Sequence, residues 1–509
     1  MESDPGTEPS GAPLCLTFRS GTVVTEETDG TLRVEHLAGT FVLRRVPGDV
    51  RRFLLRMATG SVPPDVPVSA DGAGRAALSP SLAVVIGRLE RLVEYRVRDA
   101  SGEDALAVET MVRESRHRPL PPSPDVPLRL SRFAYLRRDT DGLVLESPLC
   151  TRRVRVLTPR AAGLVWALGT ATTVTGLAGG LGLAEAEVSR LTGHLTGAGL
   201  VEQAADGVFP EDTAAARQWS FPDMLFHSRS RMGHHDYPIG AAFPFAEEIP
   251  PAPAVGPARP GPSIALPRPD LTSVLAADPP LTTVLEGRRS IRAAGREPIT
   301  LRQLGEFLYR SARIRSLTDQ DARQGTRYAV TSRPYPSGGA GYELEFYLTV
   351  RRCPGAEPGV YHYDPLSHRL VLVNDDPADR ARLLQGAVRA VGAGPPPDVL
   401  ITLTSRFQRL SWKYLGMAYA TTLKHVGVVQ QTMYVVATAM NLAPCALGNG
   451  DSAQAERILG LDRLQESPVG EFALSAAPPP SEAPAGPSAW RPVNDHEWHT
   501  LSVERLTGR

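Results

Sequence analysis

The sequence predicts an α+β protein in which two small modules with a winged-helix-like order of elements precede a larger mixed domain. The first observation is that strands, helices and a closing hairpin follow one another twice within the first 210 residues. The second is a proline-rich segment, 250–269, where the composition changes. The third is that strand and amphipathic helix patterns then alternate and lead to a long helix pattern at 418–440. The length of 509 residues also exceeds what one ordinary hydrophobic core supports.

The charge balance and the cysteines exclude several classes of protein. Lys and Arg number 55, and Asp and Glu also number 55, so the chain carries no basic field for nucleic acid. The cysteines Cys15, Cys150, Cys353 and Cys445 are too far apart for a zinc knuckle or a disulfide framework, which favours a reduced, cytoplasmic location. No run reaches the roughly 18 apolar residues of a membrane span. We therefore expect an intracellular protein with no nucleic-acid or membrane partner.

The first module, 1–117, begins with three short alternating stretches that are typical of strands. Two helix patterns follow, and a pair of strand patterns around the turn at 100–103 closes the region, as in a small winged helix. The predicted strands are 14–19, 31–36, 40–45, 94–98 and 105–111, and the predicted helices are 49–58 and 79–92.

The second module, 128–210, repeats this order after a proline-rich linker at 119–127. Thr158 is predicted to cap a helix, because Pro159 follows it at a position where the missing N–H costs nothing. The predicted strands are 128–137, 143–146 and 153–157, a second helix is predicted at 185–198, and a wing is predicted at 200–203 and 208–209.

Winged-helix domains often bind DNA, with one helix in a groove of the duplex. The charge of that helix therefore distinguishes DNA from a peptide as the ligand. The stretch 183–199 carries Glu185, Glu187, Arg190 and His194, which is too little positive charge to meet phosphates. Capture of a peptide by strand addition beside the wing is then the better use of this fold. A scaffolding role for both modules is the alternative.

The segment 211–269 is predicted to be an arm followed by an extended, exposed linker. The arm contains His227, His234, His235 and Asp236, whose side chains are of the types that bind metals. Neither their spacing nor a matching ligand elsewhere supports a metal site. We therefore predict no metal, and an ordered arm that packs on the next domain.

The C-terminal domain is predicted at 270–480, with a tail at 481–509. Thr300 and Gln303 form a capping-box pattern before a helix with one apolar face. The predicted strands are 342–350, 360–363, 369–373 and 398–404, the last of them buried, and the long helix is 418–440.

Arg288, Arg289, Ser290 and Arg292 form the first candidate binding segment. Residues 288, 290 and 292 are spaced by two, so their side chains point the same way in an extended stretch. Two guanidinium groups and a hydroxyl on one side suit a phosphate or the edge of a flavin. An arginine-rich sequence also produces such runs by chance.

Two glycine-rich turns are further candidates for binding a flat or anionic ligand. Missing side chains let backbone N–H groups approach a ring or a phosphate closely. The residues concerned are Pro336, Ser337, Gly338 and Gly339 in the first turn and Leu447, Gly448 and Asn449 in the second. Tight turns without a ligand are the alternative, and no strand–GxGxxG–helix fingerprint of a dinucleotide site is present.

Lysine is rare in this chain, and its positions indicate a catalytic candidate. Of the 55 cationic residues, two are lysine, Lys413 and Lys424. Arginine stays charged in proteins, whereas a desolvated lysine can lose its proton, so a retained lysine indicates a place where arginine cannot substitute. Tyr414 stands beside Lys413, and the two groups together can serve proton transfer. A surface lysine next to a core tyrosine is the alternative.

Taken in order over about 270–475, these segments resemble the SagB-type (SagB/ThcOx) azoline dehydrogenases, a branch of the FMN-dependent nitroreductase family that acts on ribosomally made peptides. The matching segments are 288–292, 333–339, 359–364, 412–414, 424–451, 442–448 and 466–472. Segment 225–230 and the paired winged-helix patterns resemble the peptide-binding N-terminal half of that family more weakly.

The resemblance implies a homodimer that holds FMN between its subunits. It also implies oxidation of thiazolines or oxazolines in a precursor peptide to thiazoles or oxazoles, with a cyclodehydratase complex as partner. Lys413 and Tyr414 fall on the family's Lys–Tyr pair, and Gln430 falls among the cofactor-binding residues of the block 424–451. One departure is that Asn449 and Gly450 stand where the family often has a run of glycines.

The chemistry of azoline oxidation fits these residues. The ring loses a proton from the carbon next to the carbonyl and a hydride from the neighbouring carbon, so the site needs a base and a hydride acceptor. Two other functions stay open: reduction of a nitro compound, quinone or dehydroamino acid with NAD(P)H, and non-catalytic presentation of a precursor peptide to a cyclodehydratase. The long region before the flavin segment disfavours the first, and bound FMN would disfavour the second.

Overall fold

A computed structural model of the chain describes residues 14–36, 39–63, 80–112, 117–238, 240–319, 327–392, 394–479, 494 and 496–507. The chain divides into two compact units, 1–239 and 240–509, each with its own hydrophobic core. Residues 1–13 of the predicted first module and 481–493 of the predicted tail lie outside the described residues. Among the described helices, none is both long enough and apolar enough to cross a membrane.

Unit 1 is built from short antiparallel strands and short helices. Its strands are β1 (Leu14–Phe18), β2 (Val23–Glu26), β3 (Leu32–His36), β4 (Gly39–Leu43), β5 (Val93–Arg98), β6 (Asp104–Thr110), β7 (Leu128–Leu130), β8 (Tyr135–Asp139), β9 (Gly142–Glu146), β10 (Arg152–Val156) and β11 (Val201–Gln203). Its helices are α1 (Gly48–Thr59), α2 (Pro80–Leu89), α3 (Pro159–Ala167), α4 (Val174–Leu181), α5 (Glu185–Gly197), α6 (Ala214–Arg217) and α7 (Phe221–Arg229). The predicted cap of α3 is confirmed, because the Thr158 hydroxyl accepts the Ala161 N–H at 3.2 Å.

The two predicted modules share one antiparallel sheet. Its strand order is β1-β5-β6-β10-β9-β8, so β6 of the first module pairs with β10 of the second. Val108 and Val154 stand opposite each other at this junction, and both are buried. Apolar residues of both modules belong to a single core cluster, so the two modules are not independent bodies.

The predicted strand 128–137 is interrupted, and the predicted wing is reduced. Glu211 fixes the chain between β7 and β8, because its carboxylate accepts the Ser131 hydroxyl at 2.5 Å and the Arg132 N–H at 2.8 Å. β11 pairs with β7, and the predicted wing partner contributes only an isolated bridge between Ala205 and Val208. The winged-helix assignment of the two modules therefore stays a prediction.

The arm is anchored to the sheet of unit 1 by Asp236. Its carboxylate pairs with Arg19 at 2.9 Å and with Arg153 at 3.3 Å, and Arg153 also pairs with the buried Glu109 at 2.8 Å. Burial would raise the pKa of Asp236, but the two guanidinium groups hold it below its ordinary value. In the part of the chain that the structure describes, no cluster of His, Cys, Asp and Glu could hold a metal ion.

Unit 2 is a larger α+β body. Its strands are β12 (Ser263–Ala265), β13 (Ser316–Thr318), β14 (Val330–Ser332), β15 (Leu344–Val350), β16 (Gly359–Asp364), β17 (Arg369–Asn374), β18 (Val399–Arg406), β19 (Leu442–Leu447) and β20 (Glu466–Ala476). Its helices are α8 (Leu271–Ala277), α9 (Leu281–Gly287), α10 (Leu301–Ala312), α11 (Pro377–Val391), α12 (Gln408–Ser411), α13 (Ala418–Ala439), α14 (Ser452–Leu459) and α15 (His496–Thr507).

Helices cover both faces of the main sheet of unit 2, whose order is β12-β17-β16-β15-β18-β20-β19. Successive residues of a strand point to opposite faces, so Phe346 packs in the cluster with α10 and α13, whereas Tyr347 packs in the cluster with α11 and α14. The predicted buried strand at 398–404 is confirmed, since every residue of β18 is buried.

The chain between β18 and α13 turns sharply before the long helix begins. Helix α12 ends at Ser411, residues 412–417 form turns, and Gly416 adopts the left-handed conformation with φ of 76°. Because of this interruption, Lys413 and Lys424 do not lie on one continuous helix. Lys424 lies on α13 with its side chain exposed.

Candidate functional site

The glycine turn that precedes β15 is held in place from the long helix α13. The Gly338 N–H donates to Nε2 of His425 at 2.7 Å, and Nδ1 of that ring lies 2.8 Å from the Glu343 carboxylate. Because Nε2 accepts, Nδ1 carries the proton and donates to Glu343, which is completely buried. The Gly338 amide is therefore engaged by the protein and is not free for a ligand, in contrast to the expectation for this turn.

The rest of the turn exposes its tip. The Ser337 hydroxyl accepts the Tyr342 N–H at 3.0 Å, and this hydrogen bond links the two ends of the turn. Pro336 and Gly339 are exposed, and Gly339 adopts the left-handed conformation with φ of 58°. The turn is thus a rigid loop with an open apex at Gly339.

Lys413 and Tyr414 lie in the turn between α12 and α13, where a preceding segment of unit 2 fixes their backbone. The Phe243 N–H donates to the Lys413 carbonyl at 3.1 Å, and Ala241 forms an isolated bridge with Tyr414. One residue earlier, Nε1 of Trp412 donates to the Ile249 carbonyl at 2.6 Å. The pair therefore stands in the turn immediately before α13 begins.

The functional atoms of the pair converge on the apex of the glycine turn. A Cβ atom built on Gly339 would lie 2.1 Å from Nζ of Lys413 and 2.7 Å from the Tyr414 hydroxyl oxygen. Nζ of Lys413 donates to the Tyr328 hydroxyl at 2.6 Å and to the Gly339 carbonyl at 3.3 Å. Among the described residues, none hydrogen-bonds to the Tyr414 hydroxyl.

The segment with Arg288, Arg289, Ser290 and Arg292, called the cation segment below, packs against the C-terminal part of α13. The Ser290 hydroxyl lies 2.7 Å from the Tyr434 hydroxyl, and the Arg288 guanidinium lies 5.1 Å from the centre of the Tyr434 ring. Arg289 lines a small cavity together with residues of α15. Its side chain points away from those of Arg288 and Ser290, as expected for alternate residues of an extended segment. Of the residues that the structure covers, none forms an ion pair with Arg288, Arg289 or Arg292.

The second glycine turn leaves the end of β19 and opens to solvent. Leu447 stands opposite Glu471 in the sheet, and the Gln430 side-chain amide donates to the Glu471 carbonyl at 3.2 Å. Gly448 and Asn449 are exposed, and a Cβ on Gly448 would meet nothing within 4 Å. Burial raises the pKa of the Glu471 carboxyl. The structure thus brings Gln430, Leu447, Gly448 and Asn449 to one edge of the sheet.

The two groups of candidate residues do not meet within one chain. His425, beside the Lys413 turn, and Tyr434, beside the cation segment, are nine residues apart on α13. A straight helix separates such positions by about 13 Å along its axis and places them on opposite faces. Within one copy, the free cations and the Lys–Tyr pair therefore belong to separate sites.

Several site residues have no signal in the sequence. Tyr328 and Tyr434 stand in ordinary element patterns, and His425 and Glu343 belong to strand or helix runs that explain them as core residues. Glu345, on β15, is a further buried carboxylate close to Glu343 in the sequence. Burial would raise the pKa of the Glu345 carboxyl, but the hydrogen bond with His362 and the guanidinium of Arg406 lower it to about 2.

Two family models match separate parts of the chain. Residues 128–236 match the model of the cyanobactin oxidase ThcOx, and residues 285–474 match that of the nitroreductase family. These matches confirm the resemblance in the sequence: the chain carries a ThcOx domain followed by a nitroreductase-family domain, and the predicted C-terminal fold is confirmed. A nitroreductase-like protein of Methanocaldococcus jannaschii is 28% identical over 213 residues, which cover 41% of this chain and 94% of the relative.

Three solved structures of different kinds are similar to parts of this chain. A nitroreductase-like protein of Ralstonia eutropha JMP134 is 21% identical and covers 45% of this chain and 96% of its own, with a TM-score of 0.33. A nitroreductase-like protein of Desulfovibrio desulfuricans in complex with FMN is 19% identical, with coverages of 42% and 94% and a TM-score of 0.26. The E. coli microcin synthetase McbBCD complex with truncated pro-MccB17 bound is 22% identical, with coverages of 36% and 69% and a TM-score of 0.29. At these TM-scores, none of the three bears on the activity of this chain.

Proposed function

We propose that the chain is an FMN-dependent azoline dehydrogenase that oxidises thiazoline or oxazoline rings in a ribosomal precursor peptide to thiazoles or oxazoles. The observation that carries this proposal is the convergence of Lys413 and Tyr414 on the apex of the glycine turn at Gly339. A base beside an open apex is what removal of a ring proton requires. The order of a ThcOx domain followed by a nitroreductase-family domain supports the same reaction.

The residues of unit 2 fit FMN as the cofactor. The guanidinium groups of Arg288 and Arg292 have no ion pair with the described residues, so they are available to a phosphate. Ser290 adds a hydroxyl beside Arg288, and the exposed turn at Gly448 and Asn449 leaves space for a ring edge. FMN supplies the hydride-accepting chemistry when it is bound.

The separation of the two groups supports a homodimer with the cofactor between its subunits. Tyr434, beside the cations, and His425, beside the turn that carries Lys413, lie on opposite faces of α13, and a second copy would let the cations of one chain and the base of the other meet at one cofactor. Exposed apolar side chains support such a contact: the exposed fractions are 82% for Leu275, 65% for Leu281 and 60% for Trp498. These residues lie on α8, α9 and α15.

The protein's own part of the reaction is the handling of the proton. Lys413 and Tyr414 lie on a backbone fixed by contacts with residues 241–249. Lys413 is 9% exposed, and none of the described residues hydrogen-bonds to the Tyr414 hydroxyl. One of them takes the proton from the ring carbon next to the carbonyl, and the other can orient the carbonyl oxygen through a hydrogen bond. The rings of Trp412 and Phe243, which lie 5.4 Å apart, pack beside Tyr328, the hydrogen-bond partner of Lys413.

We assign binding of the precursor peptide to the N-terminal half, with a cyclodehydratase complex as the partner that supplies azolines. The weakly charged helix α5, with Glu185 and Glu187 in its first turn, supports a peptide ligand over DNA. Fluorescence anisotropy with the full chain tests this assignment. Binding of a leader-peptide probe and no binding of a DNA duplex is expected, whereas salt-sensitive DNA binding without peptide binding would overturn it.

The reaction is tested by reconstituting the full chain with FMN and incubating it with a synthetic thiazoline peptide. The expected product has lost two hydrogens per ring, as measured by mass spectrometry. Oxidation of NAD(P)H with small acceptors, and no change in the thiazoline peptide, would replace the proposal by a reductase function. A protein that binds no FMN but binds peptide would replace it by a presenting function.

A further inference from the structure

Tyr328, which lies just before β14, forms a hydrogen-bonded triangle with Lys413, one of the two candidate bases, and the Gly339 carbonyl. Its hydroxyl donates to the Gly339 carbonyl at 2.8 Å. Nζ of Lys413 lies 2.6 Å from the same hydroxyl and 3.3 Å from the same carbonyl. No motif in the sequence indicates this tyrosine.

The contacts are satisfied by one set of hydrogen-bond directions. A carbonyl oxygen only accepts, so the single proton of the Tyr328 hydroxyl goes to Gly339. The hydroxyl oxygen must then accept from Lys413. An unprotonated lysine has two N–H groups and one lone pair, and the Tyr328 oxygen and the Gly339 carbonyl accept both N–H groups. The lone pair is the remaining site of the amine.

The ring of Tyr328 is itself held firmly. Tyr328 is 7% exposed, and its ring lies 5.8 Å from that of Trp412 and 6.3 Å from that of Phe243. The guanidinium of Arg409 lies 5.4 Å from the ring centre and donates to the Ala329 and Gly341 carbonyls, at 3.1 Å and 2.9 Å. Burial lowers the pKa of Arg409 to about 10, and the neighbouring Arg406 acts in the same direction. The hydroxyl therefore has little freedom to leave its position.

We propose that Tyr328 is a positioning residue that aims the lone pair of Lys413 at the proton to be removed, an inference that rests on the proposed function. In that step the C–H bond next to the carbonyl breaks, and the proton forms a new N–H bond on Lys413. The electron pair left on the carbon forms the ring double bond, as the neighbouring carbon loses its hydride to oxidised FMN. The ring thus loses one proton and one hydride, and FMN gains the two electrons.

The test uses the full-length, FMN-loaded protein with Tyr328→Phe, and Tyr361→Phe as the matched control. Tyr361 is also a buried tyrosine, and its hydroxyl donates to the Glu357 carbonyl at 2.7 Å, on a strand remote from the site. The substrate probe is a synthetic thiazoline peptide, with and without deuterium on the carbon next to the carbonyl. Tyr328→Phe is expected to lower kcat by about tenfold or more, as for loss of one hydrogen bond to a charged or reacting group, with KM unchanged. The kinetic isotope effect is expected to rise, since proton removal becomes slower, and Tyr361→Phe is expected to change neither quantity.

A second readout does not depend on turnover. The chain has two lysines, so brief labelling with acetic anhydride, followed by mass spectrometry, reports Lys413 against Lys424 as an internal reference. In Tyr328→Phe the labelling of Lys413 relative to Lys424 is expected to rise several-fold, because the amine loses one of its two acceptors. If Tyr328→Phe does not fold, Tyr328→His, which keeps a ring nitrogen as acceptor, takes its place and is expected to lie between wild type and a variant without an acceptor.

The outcomes separate this inference from the proposed function. A wild-type protein that leaves the thiazoline peptide unchanged overturns the proposed function, and a labelling change in the Tyr328 variant then still supports the contact. A wild-type protein that oxidises the peptide, with kcat, isotope effect and labelling ratio all unchanged in Tyr328→Phe, overturns the positioning role. Equal losses in Tyr328→Phe and Tyr361→Phe also overturn it, because they indicate a purely structural effect.

Discussion

Gly339→Ala is the substitution for which the structure predicts the most specific damage. The new Cβ would lie 2.1 Å from Nζ of Lys413 and 2.7 Å from the Tyr414 hydroxyl oxygen. Ordinary contacts between such atoms are about 3.5 Å, so Nζ has to move by roughly 1.4 Å. The backbone of residue 339 also has φ of 58°, which costs an L-residue with a side chain roughly 1–2 kcal/mol.

Displacement of a reacting group by about 1 Å costs roughly 100-fold in rate, and complete loss of a general base costs roughly 10²–10⁴-fold. We therefore expect Gly339→Ala to lower kcat for thiazoline oxidation by at least about 100-fold. FMN affinity is expected to change little, because the free cations Arg288 and Arg292 lie on the other face of α13. The assay is azole formation by mass spectrometry, with the flavin absorbance spectrum recorded on the same sample.

Gly460→Ala is the matched control, because it separates backbone strain from the clash. Gly460 ends α14 with φ of 66°, and a Cβ there would meet nothing within 4 Å. Both variants are expected to lose a similar free energy of unfolding in urea, and only Gly339→Ala is expected to lose turnover. Near-normal turnover in a folded Gly339→Ala protein would refute the placement of the base at this apex.

Three further predictions concern individual side chains. Lys413→Ala, Lys413→Arg and Tyr414→Phe should all keep FMN, and loss of the group that serves as the base should lower the rate of azole formation by roughly 10²–10⁴-fold. Lys413→Arg should not restore a lysine base, because guanidinium cannot accept the proton. Arg288→Ala and Arg292→Ala should each weaken FMN binding about tenfold or more, since a charged hydrogen bond contributes roughly 1.5–3 kcal/mol; fluorescence titration measures this. The pKa of Glu345 is lowered to about 2, so the carboxylate stabilises the fold above its ordinary pKa, and this stabilisation is lost as the pH falls towards 2. The free energy of unfolding, measured in urea at several pH values, should therefore depend less on acid in Glu345→Gln than in the wild type.

Each of these predictions has a control and a contradicting result. Lys424→Ala removes an exposed lysine of α13 and should leave turnover unchanged, so equal effects of the two lysines would argue against a catalytic role. Arg389→Ala removes an exposed arginine of α11, on the other face of the sheet, and should not affect FMN. Wild-type flavin affinity in both Arg288→Ala and Arg292→Ala would remove the cation segment from the site. An identical acid dependence of wild type and Glu345→Gln would contradict the buried ion pair with Arg406.

The sequence predicts the elements whose pattern is local. The Thr300–Gln303 capping box is present, with both of its reciprocal hydrogen bonds, and α13 begins at Ala418 as its periodicity indicates. Helix α4 has no predicted counterpart because Gly176, Gly179 and Gly180 weaken its helix pattern, and only the Thr173 cap and tertiary packing define it.

The sequence could not predict interactions between distant segments. Tyr328 and Gly339 meet Lys413 across more than seventy positions of chain, and Tyr434 meets Ser290 across 144. Nothing in the local pattern of a tyrosine distinguishes a core ring from a ring whose hydroxyl holds a base. Lys413 could be singled out from the sequence because lysine is rare in this chain. Such a signal concerns the chemistry of one residue and does not depend on which distant segments meet in the fold.

The most direct test of the central claim is an anaerobic single turnover of the FMN-loaded full chain with a synthetic thiazoline peptide. The absorbance of oxidised flavin is expected to disappear on mixing, without NAD(P)H. One thiazole, lighter than the substrate by two hydrogens, should form for each flavin reduced. Flavin that stays oxidised in the presence of the thiazoline peptide, but is reduced by NAD(P)H alone, would contradict the account.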